Sequence, residues 1–581
     1  AAGHPGCLFL WPILPLILLT MSLPTPAIVA QSAVRRIPRS ILLVLCGVYI
    51  LAGFVGRAPW REVDMQAFAL MRALAQGQTH WLQPQLGPLL PSDPGLLQYW
   101  LGAWAIQWLP ASWSSDWVAR LPFMGLLALA LACTWRAVYG LARMPSAQPV
   151  SFAFGGEAHP KDYACALADG ALLALLACLG LAQMGHETSH RLVQLAALAA
   201  LFYAASNLRW QPLRAGFAAF LAPQALALAG APELAMALVS LVIAGLAGIQ
   251  TPKLPQRFTW MAWWALALVC TFTLSKQLNL WHWSAPLQRD WASLARLLTW
   301  FSWPAWPLAL WTLWRWRRQL AQPLQQPHLT IPLGLWIATL AAMLLNEDRD
   351  GALLLTLPAI AAVAAFALPT LRRSLGALID WLTLIFFTVS ALTIWVVWLS
   401  VQTGWPAKPA ANVARLSDGY QPPFEPFALA MALVASAAWL LLVAWRTRRH
   451  RAAIWKSLAL PAGGTVLGWV LLMTLWLPML DYGRSYAPQI ARLQNTLPAQ
   501  PGCVQTWGLS IAQVGALRWH TDWSIVPTAS AAAQCDWLIT ANPDEWQASS
   551  NAYAAQWLPV RNVLRPTNRD DQWLVLQRRN P

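Results

Sequence analysis

The sequence is poor in charged residues. Only 11% of its 581 residues are charged and 23 are acidic, whereas 58% are hydrophobic. So few charges cannot cover the surface of a water-soluble protein of this length, which excludes the soluble globular class. The remaining acids are therefore informative, because a carboxylate near a bilayer is costly and marks a functional position.

Motifs that bind nucleotides or mark serine hydrolases are also missing. The sequence contains no G-x-x-x-x-G-K-[ST], G-x-G-x-x-G or G-x-S-x-G, so ATP-driven transport and that hydrolase chemistry have no support. Its eight cysteines form no C-x-x-C pair, which removes the usual zinc-finger spacing.

Long apolar runs occupy most of the chain. Runs of about 17 to 22 residues recur, closed by Arg or Lys, which is typical of membrane-spanning helices. The 39 Trp residues fit the preference of indoles for the membrane–water boundary. We predict thirteen spans, at 40–56, 119–139, 163–183, 191–206, 215–231, 234–250, 258–275, 297–314, 330–346, 352–370, 379–400, 427–445 and 457–478.

The net charge of +16 raises the question of nucleic-acid binding. The arginines, however, stand in short clusters at the ends of predicted spans, as at 315–318, 372–373 and 446–451. Basic residues of membrane proteins concentrate in cytoplasmic loops, and every second predicted connection contains them. We therefore predict no nucleic-acid partner, a cytoplasmic N-terminal side and an extracytoplasmic C-terminus.

The composition divides the chain into three segments. Residues 1–34 are predicted to be an N-terminal leader, 35–478 an α-helical transmembrane domain and 479–581 a small α/β domain outside the membrane. In the last segment, short strand-like runs alternate with turn residues. Cys503 and Cys535 begin two of these runs and would pair as a disulfide in an oxidising compartment.

The outer connections hold most of the acids that precede the C-terminal segment. Glu62, Asp64 and Asp93 lie in the long first loop, Glu187 follows the third span, and 346–350 reads Asn-Glu-Asp-Arg-Asp. Acids contribute little to topology, so this asymmetry favours a shared extracytoplasmic site. Within the first loop, 64–76 and 95–109 are predicted to be helices lying on the membrane.

The first loop also carries a resemblance. The stretches "GRAPWREVDMQAF", "LMRALAQG" and "LGPLLPSDPGLLQYWLGA" are similar to the first loop of the lipid A aminoarabinose transferase (ArnT) family and of the related protein O-mannosyltransferases. Those proteins are membrane glycosyltransferases of the GT-C class. The resemblance implies about thirteen spans with juxtamembrane helices, an extracytoplasmic C-terminal domain and an active site facing the periplasm of a bacterial inner membrane.

The resemblance also implies site residues. The family opens this loop with an Asp-Glu pair whose Asp is the proposed base; here the acids are Glu62 and Asp64, and Asp64 is favoured because it leads into the helix. The family's acid before a Tyr-Trp pair corresponds to Asp93 before Tyr99, with Pro94 in place of the family's Lys. After the third span the chain offers His186 and Glu187, although Arg191 stands where the family has its second Asp.

The implied reaction moves a sugar from a polyprenyl phosphate to an envelope acceptor, a glycolipid or a protein. A carboxylate accepts the proton of the acceptor, and cationic side chains stabilise the departing phosphate. Asp64, Glu62 and Glu187 are the catalytic candidates, and Asp93, His186 and Tyr99 are substrate-binding candidates. The cationic candidates on the same face are Arg61, Lys276, Arg289, Arg349 and Arg484.

The sequence requires no cofactor. A divalent metal remains open, with His186, Glu187 and His282 as candidate ligands. Two alternative functions also remain: a transporter or flippase of lipid-linked substrates, which would place charges inside its spans, and a GT-C protein that has lost activity, as the altered acidic positions allow.

Overall fold

Helices form most of the chain up to Gln494, and a five-stranded sheet follows. The computed structural model describes residues 25–91, 95–248, 254–281, 291–345, 349–447, 453–527, 535–541, 546 and 556–579. The first twelve helices are α1 (Arg39–Phe54), α2 (Val63–Ala75), α3 (Leu97–Trp108), α4 (Ser115–Ala142), α5 (Pro160–Ala177), α6 (Leu179–Met184), α7 (His190–Asn207), α8 (Pro212–Leu228), α9 (Pro232–Gly248), α10 (Leu254–Gln277), α11 (Trp291–Phe301) and α12 (Ala305–Arg315). The later helices are α13 (Arg317–Leu320), α14 (Pro327–Leu344), α15 (Arg349–Leu354), α16 (Leu357–Ala365), α17 (Arg373–Thr403), α18 (Ala407–Leu416), α19 (Pro426–Thr447), α20 (Ala459–Leu472), α21 (Leu477–Arg484), α22 (Ala487–Gln494) and α23 (Ile511–His520).

Several helices are long and apolar enough to cross a membrane. Within the described residues there are seven such segments, and Arg39–Phe54 and Pro232–Ala247 are shorter apolar helices. The chain is therefore a multi-pass membrane protein, as predicted, while the count of thirteen stays a prediction. The seven segments are Ser115–Ala142, Phe258–Gln277, Pro327–Leu344, Gly351–Thr370, Arg373–Thr403, Pro426–Thr447 and Ile454–Leu472.

Four predicted spans are not continuous α-helices, and two of the breaks are short: Leu354 to Leu357 in the span 352–370, and Leu472 to Leu477 in the span 457–478. The predicted span 163–183 breaks at Cys178, whose extended backbone separates α5 from α6. The predicted span 297–314 breaks between Phe301 and Ala305. Pro304 lies between those two residues, and proline disfavours helical backbone in the residue before it.

The two predicted helices of the first loop are present, as α2 and α3. The apolar stripe predicted for α2 is buried, but α2 is not a surface helix, because helix α23 packs on it. Gly515 of α23 permits this contact: a Cβ atom at that position would lie 2.3 Å from the Cβ of Ala69. The C-terminal domain thus rests directly on the helix that begins at Val63.

The C-terminal domain is a mixed sheet, which confirms the predicted α/β class. Its strands are β1 (Cys503–Trp507), β2 (Ser524–Pro527), β3 (Trp537–Thr540), β4 (Trp557–Arg565) and β5 (Asn568–Arg578), in the order β2-β1-β3-β5-β4. β1 is parallel to β2 and β3, and β5 is antiparallel to β3 and β4.

The predicted disulfide is present between Cys503 and Cys535, whose Cα atoms are 5.1 Å apart. The bond joins Cys503, the first residue of β1, to Cys535, which lies just before β3. The strands β1 and β3 are neighbours in the sheet. At the other end of the chain, residues 25–34 of the predicted leader are packed into the fold: Ala27 and Val29 are buried, and the amide of Val150 donates to the Ala27 carbonyl.

Candidate active site

Asp64 lies in the first turn of α2, where a carboxylate is favoured by the helix dipole. The chain reaches it through a turn at Gly56 and through Glu62, whose φ of 69° is unusual for a residue with a side chain. The helix begins at Val63, so Glu62 lies outside it and is exposed, whereas Asp64 is buried at 3% exposure. The local backbone thus leaves Glu62 at the surface and buries Asp64, although the two acids are only two residues apart in the sequence.

Three hydrogen bonds hold the Asp64 carboxylate. Its Oδ2 accepts from Arg57 Nη2 at 2.5 Å, and its Oδ1 accepts from the amide and the hydroxyl of Thr188 at 2.7 and 3.0 Å. A carboxylate has about four acceptor positions. Three are filled, so one remains for a group that enters beside Oδ2.

Arg57 is fully buried and joins the two loops of the site. Its Nη2 also donates to the His186 carbonyl at 2.9 Å. Its guanidinium carbon lies 4.5 Å from the centre of the Trp60 ring, and that of Arg484 lies 4.7 Å from the same ring. Within the described residues, Arg57 Nε and Nη1 have no hydrogen-bond partner. A buried guanidinium with spare donors is suited to an anion.

Asp481 anchors this loop to the end of the transmembrane domain. Its carboxylate accepts from Trp60 Nε1 at 2.7 Å and from the Ala58 amide at 3.2 Å, and Arg61 donates its amide to the Arg484 carbonyl at 2.8 Å. Burial raises the pKa of Asp481 to about 6. The loop that carries Asp64 is therefore fixed by a residue more than 400 positions later.

A narrow cavity lies beside Asp64, with a volume of about 10 Å³, which is room for about one water molecule. Arg120 of α4 lines it, donates to the Arg57 carbonyl and lies 3.7 Å from the Asp116 carboxylate. The cavity therefore presents two carboxylates, Asp64 and Asp116, and one cation to the same small space. Its lining residues are Pro59, Asp64, Phe68, Met71, Asp116, Ala119, Arg120 and Thr188.

Glu187 is half-buried in the loop that also supplies Thr188. Burial, and secondly the charge of Asp64, raises the pKa of Glu187 to about 7, against the opposing effects of a hydrogen bond from Gln183 and of Arg57 and Arg484. The structure thus brings Asp64, Glu187 and Arg484 close together, and their role in a shared site stays a prediction.

The raised pKa of Glu187 predicts a pH-dependent stability. The folded protein keeps the Glu187 proton up to about pH 7, whereas the unfolded chain loses it near 4.5. Stability is therefore lost as pH rises from about 4.5 to 7, and the loss is complete above that range.

We expect Glu187→Gln to gain stability over the wild type across this window, by on the order of 1–3 kcal/mol at pH 8. Thermal unfolding in detergent from pH 4 to 8.5 measures it, with Glu425→Gln, an exposed acid, as control. A difference independent of pH would contradict the prediction.

His186 does not face the cavity, so its predicted contacts with substrate or metal are wrong. Its ring is buried, with Nδ1 2.5 Å from the Ala182 carbonyl and Nε2 2.9 Å from the Tyr49 carbonyl. Burial lowers the pKa of His186 to about 3. Because both nitrogens face backbone carbonyls, the ring is a packing element that orients the 185–189 loop.

Residues 186–190 also match H-E-x-x-H, a pattern that the sequence interpretation overlooked. A zinc site of that type needs both histidines on one helix face. Here His186 precedes α7, which begins at His190, so the pattern lacks its helix. Among the residues that the structure describes, no group of three or more His, Cys, Asp or Glu is arranged to hold a metal.

Of the other predicted residues, Arg61, Tyr99 and Lys276 do not line the cavity beside Asp64. Arg61 pairs with Asp571 of the C-terminal domain at 3.5 Å. Tyr99 is buried in the core, and its contact with substrate stays a prediction. Lys276 is exposed in the last turn of α10 and does not contact Asp64 or Glu187. Arg349 begins α15. Asp93, His282 and Arg289 lie outside the residues that the structure describes, and so does the side chain of Arg349.

Four site residues were not predicted: Arg57, Thr188, Arg120 and Asp481. Arg57 stands in the stretch that carries the family resemblance, seven residues before Asp64, so its position was a usable signal. Thr188, Arg120 and Asp481 have no such signal, because each lies in a different predicted span or loop.

Fold and site together describe a multi-pass membrane protein with a carboxylate–arginine pair beside a small cavity at the base of a C-terminal mixed-sheet domain. Solved structures share this fold. The apo crystal structure of ArnT from Cupriavidus metallidurans matches with a TM-score of 0.60 at 15% identity, over 93% of this chain and 98% of that chain. The same protein bound to undecaprenyl phosphate matches with a TM-score of 0.58, at the same identity and coverage.

No protein-family model matches the sequence, and a comparison with curated proteins finds no match. The likeness therefore lies in the fold, which is similar to that of ArnT.

Proposed function

We propose that the protein is a membrane glycosyltransferase. It moves a sugar from a polyprenyl-phosphate donor to an envelope acceptor, a glycolipid or a protein, at the periplasmic face of a bacterial inner membrane. The observation that carries the proposal is the Asp64 carboxylate, held by Arg57 and Thr188 beside a cavity that Arg120 lines. The relative of the same fold that binds undecaprenyl phosphate supports a lipid-linked donor.

In this proposal the acceptor hydroxyl or amine attacks the anomeric carbon of the donor sugar. The bond from that carbon to the phosphate oxygen breaks, and the phosphate leaves on its lipid. The acceptor proton passes to the free position of the Asp64 carboxylate. Arg57 and Arg120 donate to the phosphate as its charge grows, and Arg484 adds a third cation near the Trp60 ring. Glu187 keeps a proton near neutral pH and so limits the negative charge beside Asp64.

The alternative, a transporter, needs charges near the middle of its spans. Most charged residues of the described spans lie near helix ends instead: Arg120 is in the second turn of α4, and Asp380 pairs with Arg446 where α17 begins and α19 ends. Asp169 is the exception, because it is buried in the middle of α5, where it accepts from Trp135 Nε1 and from the Ile37 amide. This distribution supports an enzyme that works at the membrane surface.

Purified protein in proteoliposomes with a polyprenyl-phosphate sugar tests the proposal. We expect free polyprenyl phosphate to appear in proportion to glycosylated acceptor, because transfer breaks the sugar–phosphate bond. Movement of the intact donor between leaflets, with no release of polyprenyl phosphate, would show a flippase and end the proposal.

A further inference from the structure

A second, larger groove lies between α2 and the C-terminal domain. Its cavity volume is about 460 Å³, within the range of small-molecule sites. One wall is α2 and the other is formed by α23 and β2. Its lining residues are Met65, Phe68, Ala69, Arg72, Ala73, Gln76, Gln78, Leu86, Gly515, Arg518, Trp519, Thr521, Asp522, Trp523, Ser524 and Ile525.

Two arginines face each other across this groove. Arg72 Nη1 donates to the Arg518 carbonyl at 3.2 Å, and Arg518 Nη2 donates to the Ile525 carbonyl at 3.2 Å. Burial, and then the charge of Arg72, lowers the pKa of Arg518. Asp522 lines the same groove but is exposed, and no carboxylate of the described chain pairs with either arginine. Two half-buried cations therefore lie close together without a counter-ion.

Aromatic rings stand beside these cations. The Arg72 guanidinium lies 5.0 Å from the centre of the Trp519 ring, and Phe68 meets that ring edge-on at 5.0 Å. Trp519 and Trp523 are both half-buried, so part of each ring faces the groove. An indole face provides an apolar surface beside the charged pair.

We propose that this groove binds an anionic saccharide, with a phosphate or carboxylate between Arg72 and Arg518 and the sugar ring against Trp519 and Trp523. Arginine donors bind phosphate and carboxylate in pairs. Asp64, Phe68 and Arg72 follow at four-residue spacing on one face of α2, and Phe68 lines both the groove and the cavity of Asp64. The ligand lies about 12 Å along that helix from Asp64.

The binding test uses the full chain in nanodiscs and does not depend on sugar transfer. The probes are glucose 6-phosphate, glucose and inorganic phosphate, followed by saturation-transfer NMR. We expect glucose 6-phosphate to bind more tightly than either fragment. Arg72→Gln/Arg518→Gln should weaken it about tenfold or more, whereas Arg561→Gln, an exposed arginine of the same domain, should leave it unchanged. Equal binding of inorganic phosphate and glucose 6-phosphate would overturn the saccharide contact.

Protection from phenylglyoxal keeps the test valid if the double variant fails to fold. In the wild-type protein, glucose 6-phosphate should slow modification of Arg72 and Arg518 and leave Arg561 unaffected, as read by peptide mass spectrometry. Unaltered modification of both arginines would overturn the proposal. Protection of both arginines by phosphatidylglycerol nanodiscs without glucose 6-phosphate would also overturn the proposal, because it would assign the groove to a membrane lipid.

Discussion

Replacement of Asp64 by asparagine should lower sugar transfer by roughly two to four orders of magnitude, measured per amount of folded protein because the variant also leaves the buried Arg57 without its counter-charge. Asparagine keeps the size of the side chain and still accepts from Thr188, but it cannot take the acceptor proton. The reason is geometric: three donors hold the Asp64 carboxylate, and its remaining acceptor position lies beside the cavity. Radiolabelled sugar transfer in proteoliposomes measures the change.

Glu62→Gln is the matched control for this variant. Glu62 lies two residues before Asp64 but is exposed and outside the helix, so its loss should change transfer less than about threefold. Full transfer by Asp64→Asn, together with loss in Glu62→Gln, would move the base two residues upstream. Normal transfer by both variants would remove the base from this loop.

Removal of the partner cation should have the largest effect on stability. We expect Arg57→Gln to destabilise the folded protein by about 3–5 kcal/mol, because the Asp64 carboxylate is then buried without its cation. Both side chains of the pair are almost inaccessible, at 0% and 3% exposure, so water cannot compensate. Thermal or denaturant unfolding in detergent measures the loss.

A double variant separates charge from shape. Arg57→Gln/Asp64→Asn removes both charges and should recover most of the lost stability while transfer remains abolished. Arg36→Gln is the surface control: the Arg36–Asp162 pair is largely exposed, and its loss should cost less than about 1 kcal/mol. An Arg57→Gln protein as stable as the control would show that the buried pair does not hold the first loop.

The sequence determined the class of the protein and much of its local structure. Apolar runs predicted a multi-pass membrane protein, because a helix in a bilayer must be apolar over its length and this requirement is visible residue by residue. The α2 and α3 helices, and the strands β1 and β3 that begin at or just after Cys503 and Cys535, follow from local sequence patterns. The disulfide between Cys503 and Cys535 followed from composition and compartment, and β1–β3 pairing brings the two residues together.

Only the tertiary structure decided which polar residues meet. Thr188 reaches Asp64 across 124 residues, and Asp481 reaches Ala58 across 423, so no sequence window contains both partners. The same limit explains His186, which looked like a loop residue but is buried against α1. A Cβ atom on Gly53 would lie 2.2 Å from the His186 ring, so the missing side chain makes room for it. Periodicity in the sequence predicts a helix and its apolar face. The residue that contacts a buried polar group depends instead on how helices distant in the sequence pack together.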